Sequence, residues 1–265
     1  LTLTWLDEEL EPLWLDATAT PAFRRGAVAE GLEADDSSDD DVTVVDTRPA
    51  EGDADSRAVA GVILAALRSA QAAVHDAEQE LGRMDAVAGD GDHGRGMVRG
   101  IDHAVAAGSV AAEAGWGARG VLEAAGDAWA EFAGGTSGVL WGAGLRAAGA
   151  VVGNSGRPSP VQVADAARAY LQSLLDLGKA SPGDKTLLDA VVPFVEILEA
   201  GAAVSGLAPA WAAAVTAAEA GAESTAAMSP KVGRARPLAA RSVGTPDPGA
   251  VSFGICVRAA AAGVQ

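Results

Sequence analysis

The chain has one cysteine, Cys256, and aromatic residues make up only 4% of its 265 positions. With a single thiol no internal disulfide framework exists, which points to a reducing, cytoplasmic setting. Few aromatic and β-branched residues argue against a sheet protein, whose pleated faces favour them. Basic residues are also scarce: 19 Lys and Arg against 36 Asp and Glu, a net charge of −17. A broad basic face for nucleic acid is therefore not expected. Gly, Arg or Asp interrupts the apolar runs before they reach roughly 18 residues, so no membrane-spanning segment is expected. No basic leader opens the chain, and Leu1-Thr-Leu-Thr-Trp5-Leu reads as the middle of a strand, as in a fragment of something longer.

What is abundant is Ala and Gly, in a chain that is 49% hydrophobic. Small side chains suit helices whose axes approach closely, so an all-α fold is predicted. Residues 1–26 carry the anchors Trp5, Trp14 and Phe23. Between Glu30 and Asp55 eleven acidic residues face one base, Arg48, and supply −10 of the −17. Such a run resists burial and reads as a solvated linker over 27–55, with an acidic binding tail as the alternative. From Ser56 on, apolar residues keep helical spacing: Val59, Val62, Ile63, Leu67, Ala70, Val74, Ala77 and Leu81 form one stripe, with Asp55 or Ser56 as the cap. Further helices are predicted near 94–107, 117–132, 136–153, 159–179, 184–204, 207–228 and 248–263, with Pro193 kinking or restarting its own. Eight helices with short Gly-rich joints imply antiparallel neighbours.

The chemistry sits in the joints. In Asp85-Ala-Val-Ala-Gly-Asp90-Gly-Asp92-His93-Gly94, three carboxylates fall within eight residues. Held so close they repel unless a cation offsets them. Hard oxygen ligands suit Mg²⁺ or Ca²⁺, and the spacing is not that of an EF-hand. Spacing alone leaves a metal–phosphate loop and a plain Asp/Gly surface turn equally open. His93 opens a helix, where anions are favoured. Gly134-Gly-Thr136-Ser137-Gly138 also enters a helix and is either a phosphate concavity or an ordinary cap. A third joint runs Gly178-Lys-Ala-Ser-Pro-Gly183-Asp184-Lys185-Thr186-Leu187-Leu188-Asp189. The fourth holds Lys231, Arg234, Arg236 and Arg241 before Thr245-Pro-Asp247-Pro248-Gly249, a phosphate-binding cluster or a solvated basic loop. If helices alternate up and down, the joints 83–96, 132–138, 178–186 and 231–249 share one end.

At these loops the sequence resembles the C-terminal, nucleotide-binding L domain of dihydroxyacetone kinases. The matching segments are Met84-Asp85 through Asp90-Gly-Asp92-His93-Gly94, then Gly134–Gly138, Gly183–Asp189, Gly233-Arg234-Ala235 and Asp247–Ala250, in family order across about 56–265. The resemblance implies an eight-helix antiparallel barrel binding Mg–ATP or ADP at one rim. Asp85, Asp90 and Asp92 would hold two Mg²⁺ ions, acting in catalysis together with His93. His93, Gly94, Arg95, Gly96, Thr136 and Ser137 would contact the phosphates, and Gly178 and Leu187 would flank the base. Arg234 with Asp247, Pro248 and Gly249 would complete the site. Arg95-Gly96 departs from the usual small hydroxylic or amidic residues, and Leu187 stands where Met is common.

Residues 1–26 resemble the tail of the family's K domain, which holds the ketose. The resemblance thus implies phosphorylation of dihydroxyacetone or a related triose or tetrulose such as erythrulose. It implies a K domain in the same or a partner chain, through which a homodimer could form. The alternative is an ADP-holding subunit of a phosphocarrier-dependent, sometimes regulatory, system. A fatty-acid-kinase-like domain is a third reading, but its acidic loop lacks the histidine found at His93.

Overall fold

The computed structural model describes the backbone of residues 19–20 and 23–24, and residues 51–263 apart from Arg234. The chain divides into two units, Leu1–Thr47 and Arg48–Gln265. In the first, β1 (Ala19–Thr20) and β2 (Phe23–Arg24) pair antiparallel, Thr20 opposite Phe23. The strand expected at Leu1–Leu6 and the acidic segment up to residue 50 lie outside the described residues.

The second unit is helical: α1 (Ala54–Ala86), α2 (His93–Glu113), α3 (Ala118–Phe132), α4 (Gly135–Val152), α5 (Pro160–Gly178), α6 (Leu188–Ser205), α7 (Leu207–Ser224), the one-turn α8 (Ala239–Ser242) and α9 (Pro248–Ala260). The eight long ones are the predicted eight. Each packs on its neighbour in sequence from α1 to α7, then α7 packs on α9 and α9 on α1, which closes the ring. Short connections make successive helices antiparallel, so the predicted all-α barrel is the observed fold.

The Ala- and Gly-rich composition has a direct packing consequence. A Cβ placed on Gly142 of α4 would lie 2.3 Å from the Gly126 carbonyl of α3, and one on Gly126 would lie 2.6 Å from the Gly142 carbonyl. The two backbones touch there, which larger side chains would prevent. Five aromatics gather in the interior of the helical unit. Trp129 and Trp141 stack with centroids 4.9 Å apart, and Tyr170, Phe194 and Phe253 pack around them. Burial of Tyr170 pushes its phenol well above the usual range.

Several expectations shift. Asp53 caps α1, accepting from the Ser56 amide at 2.7 Å, while Ser56 is buried and its hydroxyl accepts from the Ala118 amide at 3.0 Å. Glu51, Gly52 and Asp53 are thus built into the helical unit, Glu51 pairing with Trp116. Val62 is 48% exposed; Ala60 and Leu64, one helical turn apart, occupy the inward face instead. By length, and by the apolarity of its most apolar 18-residue stretch, α1 could cross a bilayer, where run lengths predict no such segment; its inward stripe packs on α2, α3 and α9. Helix α6 starts at Leu188 rather than near 184, because Lys185 adopts a left-handed φ of +62°. Pro193 lies inside this single helix without restarting it.

Candidate functional site

The acidic loop is shaped by its own backbone. The last turn of α1 winds up with the amides of Ala88 and Gly89 on the Asp85 carbonyl, and Gly91 turns the chain at φ +73°. The Asp85 carboxylate then reaches across: Oδ2 accepts from the amides of Asp92 at 3.0 Å and His93 at 3.4 Å. It thereby caps α2 from outside, a task that Asp92, the residue at the cap position, does not perform with its own side chain. Helix α2 can start here only because Gly94 has no side chain; a Cβ there would lie 2.0 Å from the Glu78 carbonyl of α1. The outcome is that carboxylate oxygens of Asp85, Asp90 and Asp92 lie within 4.8 Å of one another. Three negative charges at that distance, on partly exposed side chains, match the donor set of a hard divalent cation.

His93 is held from the last helix of the ring, α9. Its Nε2 lies 3.1 Å from Oγ of Ser252, a fully buried residue on α9. The Ser252 hydroxyl donates its one proton to the Gly249 carbonyl at 2.9 Å. Ser252 can therefore only accept from the imidazole, so the proton sits on Nε2.

A cavity of about 330 Å³ opens beside this loop, a size within the range of small-ligand sites. Its walls come from all four joints: Asp85, Gly89, Asp92 and His93; Thr136 and Ser137; Gly178 and Lys185 to Leu187; and Val232, Gly233 and Thr245 to Gly249. The alternation of helices thus places these segments at one end, as predicted. Thr136 and Ser137 lie in the exposed first turn of α4, where the backbone passes Gly134 and Gly135 at φ +79° and +63°.

Other predicted residues stand elsewhere. Gly94 is buried against α1, and the Gly96 amide already bonds the Asp92 carbonyl at 2.9 Å. Arg95 is exposed and lines a separate outer groove with Asp90. Arg236 and Arg241 are exposed and do not line the cavity, and Lys231 lies 3.5 Å from Asp184. Arg234 is outside the described residues.

Four polar residues that shape the site were given no individual role by sequence reasoning. Asp189 is buried, and its carboxylate accepts from the amides of Gly183 at 2.5 Å and Thr186 at 2.8 Å, holding the loop before α6. Thr225, fully buried, accepts from the Asp247 amide at 2.7 Å. Ser252 orients His93. Lys185 is the buried cation of this end, and desolvation lowers its pKa. Asp247 caps α9 through the Ala250 amide at 2.8 Å, and close packing by protein pushes its carboxyl up to about 6. Of these, Asp189 had a legible signal, since an Asp three residues after Thr186 and six after Gly183 can fold back on both.

A family model described as "DAK2 domain" matches residues 87–262. The chain is 49% identical over 265 residues to a D-erythrulose kinase of Mycolicibacterium smegmatis, covering 98% of this chain and 46% of that protein. It is 44% identical over 266 residues to an L-erythrulose kinase of Pectobacterium atrosepticum, covering 99% and 44%. The chain therefore spans less than half the length of these relatives. Over 80 residues, 30% of the chain and 38% of the relative, it is 45% identical to the ADP-binding subunit DhaL of a PEP-dependent dihydroxyacetone kinase of Escherichia coli. Among solved structures, the dihydroxyacetone kinase of C. freundii in complex with AMP-PNP and Mg²⁺ superposes with a TM-score of 0.58 at 26% identity, covering 77% of this chain and 33% of that one. By sequence over most of its helical unit, and by fold, the chain belongs to the DAK2 domain family.

Proposed function

We propose that this chain supplies the Mg–nucleotide part of an ATP-dependent kinase acting on a small ketose, with erythrulose or a related tetrulose or triose as acceptor. The observation that carries the reading is the cluster of three carboxylates, within 4.8 Å of one another, at the edge of a cavity built from four helix-start joints. Asp85, Asp90 and Asp92 would hold Mg²⁺, two ions in this reading. When bound, the metal supplies charge neutralisation of the transferring phosphoryl group. The protein's own part is positioning. His93, anchored by Ser252 through Nε2, faces the phosphates, whose oxygens accept from the first-turn amides of Gly94 and Arg95 and from the Thr136 and Ser137 hydroxyls. Gly178 and Leu187 flank the base, and Arg234 with the Asp247–Gly249 turn closes the site.

The ketose would be held by a K domain of the same or a partner chain, with a dimer formed through that domain and a cytoplasmic setting. The long matches to erythrulose kinases favour direct use of ATP over an ADP-holding subunit, since the DhaL match covers only 30% of the chain. Slow ADP release would favour the latter.

The test is calorimetric titration of the chain with Mg–ATP, with and without Asp90→Ala. Binding that needs Mg²⁺ and is lost in the variant, with the helical circular-dichroism signal unchanged, is expected. Undiminished Mg–ATP binding by the variant would sink the metal assignment.

A further inference from the structure

The segment from Met228 to Thr245 forms one wall of the cavity, through Pro230, Val232, Gly233, Ala235, Ser242 and Thr245. Its regular structure is slight: a 3-10 turn at Arg236–Leu238 and the four-residue α8. A wall of this kind has little packing of its own to hold it, so its position depends on what ties it down. Among the described residues, three backbone bonds do so, Met228 N to the Thr225 carbonyl at 3.0 Å, Lys231 N to the Asp184 carbonyl at 3.2 Å and Gly244 N to the Ala226 carbonyl at 2.8 Å, and the exposed Lys231 ammonium lies 3.5 Å from the Asp184 carboxylate. The tie that joins both ends of the segment is Lys185. Its Nζ donates to the carbonyls of Met228 at 3.2 Å, Ser242 at 2.7 Å and Thr245 at 2.8 Å. One of these carbonyls opens the wall segment and two close it.

We propose that Lys185 is a positioning residue for the nucleotide site: an ammonium latch that draws the two ends of the Met228–Thr245 wall together and so sets nucleotide affinity. An ammonium has three N–H donors, and all three are used on this wall. Lys185 is therefore not read as a phosphate ligand, although it lines the cavity, because turning toward a phosphate would release the wall. The side chain is 4% exposed, so it is committed inward rather than sampling solvent. Its backbone sits at φ +62°, a conformation a non-glycine residue keeps only where its surroundings hold it there. Charge-assisted hydrogen bonds of this kind are stronger than neutral ones, and one side chain makes three of them here.

This inference rests on the nucleotide reading, and titration of the unmodified chain with Mg–ATP separates the two. No binding by the unmodified chain overturns the site reading itself. Given binding there, Lys185→Ala is expected to weaken Mg–ATP at least ten-fold and to raise amide hydrogen exchange within 228–245 while the helices stay protected. Propylammonium, which replaces the atoms removed, is expected to restore affinity, and propanol is not. Lys185→Met keeps the aliphatic volume and carries the same test should the alanine variant not fold. Affinity within two-fold of the unmodified chain overturns the latch. So does an exchange increase spread evenly over all helices, or a loss that propylammonium leaves unchanged, since either marks a merely structural residue.

Discussion

The two ends of the barrel are built from the same kinds of residue and do opposite things with them. At the end away from the cavity, the Gly52 amide bonds the Gly115 carbonyl, Asp53 bonds the amides of Ser56 and Gly156, Ser56 accepts from Ala118, and Asn154 Oδ1 accepts from Gly120. These polar side chains are directed at protein backbone, and the joints they serve are tied together. At the cavity end Asp85 also caps backbone, yet it converges with Asp90 and Asp92, and the joints stand apart around an open volume. Residue type does not separate the two ends. Convergence of like charges around open volume does.

That contrast can be broken from either side. Asp85→Ala removes both a carboxylate of the cluster and the outside cap of α2, and should weaken Mg–ATP binding at least ~100-fold by calorimetry, the size expected when a charged binding group is lost. Asp53→Ala at the other end should leave that affinity unchanged and lower Tm by roughly 3–6 °C. Hydrogen bonds from Ser56 and Gly156 hold the Asp53 carboxyl below its usual range. Its contribution is therefore present above about pH 4 and lost as pH falls through its folded value.

Next in size is Gly94→Ala, whose Cβ meets the Glu78 carbonyl at 2.0 Å; chemical denaturation should show a loss of about 3 kcal/mol or more. The Asp247 carboxyl, raised from 3.8 to about 6, makes the opposite pH prediction to Asp53. The folded state binds this proton more tightly than the unfolded chain, so stability falls between roughly pH 4 and 6 and the loss is constant above. Asp247→Asn should flatten that slope, by up to roughly 3 kcal/mol across the window, read from Tm in nucleotide-free protein. Ser56→Ala strands the Ala118 amide and should cost about 1–2 kcal/mol. The smallest effects belong to Arg236→Ala and Arg241→Ala, exposed and off the cavity, with stability changes within about 0.5 kcal/mol and Mg–ATP affinity within about two-fold.

The helix count, the antiparallel order and the end at which the joints gather were legible in the chain, because helical periodicity and Gly or Pro punctuation are local signals. So was the acidic loop, because its three carboxylates are near in sequence. The exact cap of α1 and the start of α6 were not. They depend on Asp53 meeting Ser56 and Gly156, and on Lys185 being held at positive φ by carbonyls up to 60 residues away.

The sequence by itself determined which joints carry charge and glycine, and which residue types could meet a metal or a phosphate. Only the tertiary structure decided which of those residues face the cavity. It turned Arg95 and Arg236 outward, buried Lys185 as a brace and set Ser252 behind His93. The reason is that a side chain's direction follows from packing between helices distant in the chain, and ring closure of α9 on α1 brings together residues that no local pattern links.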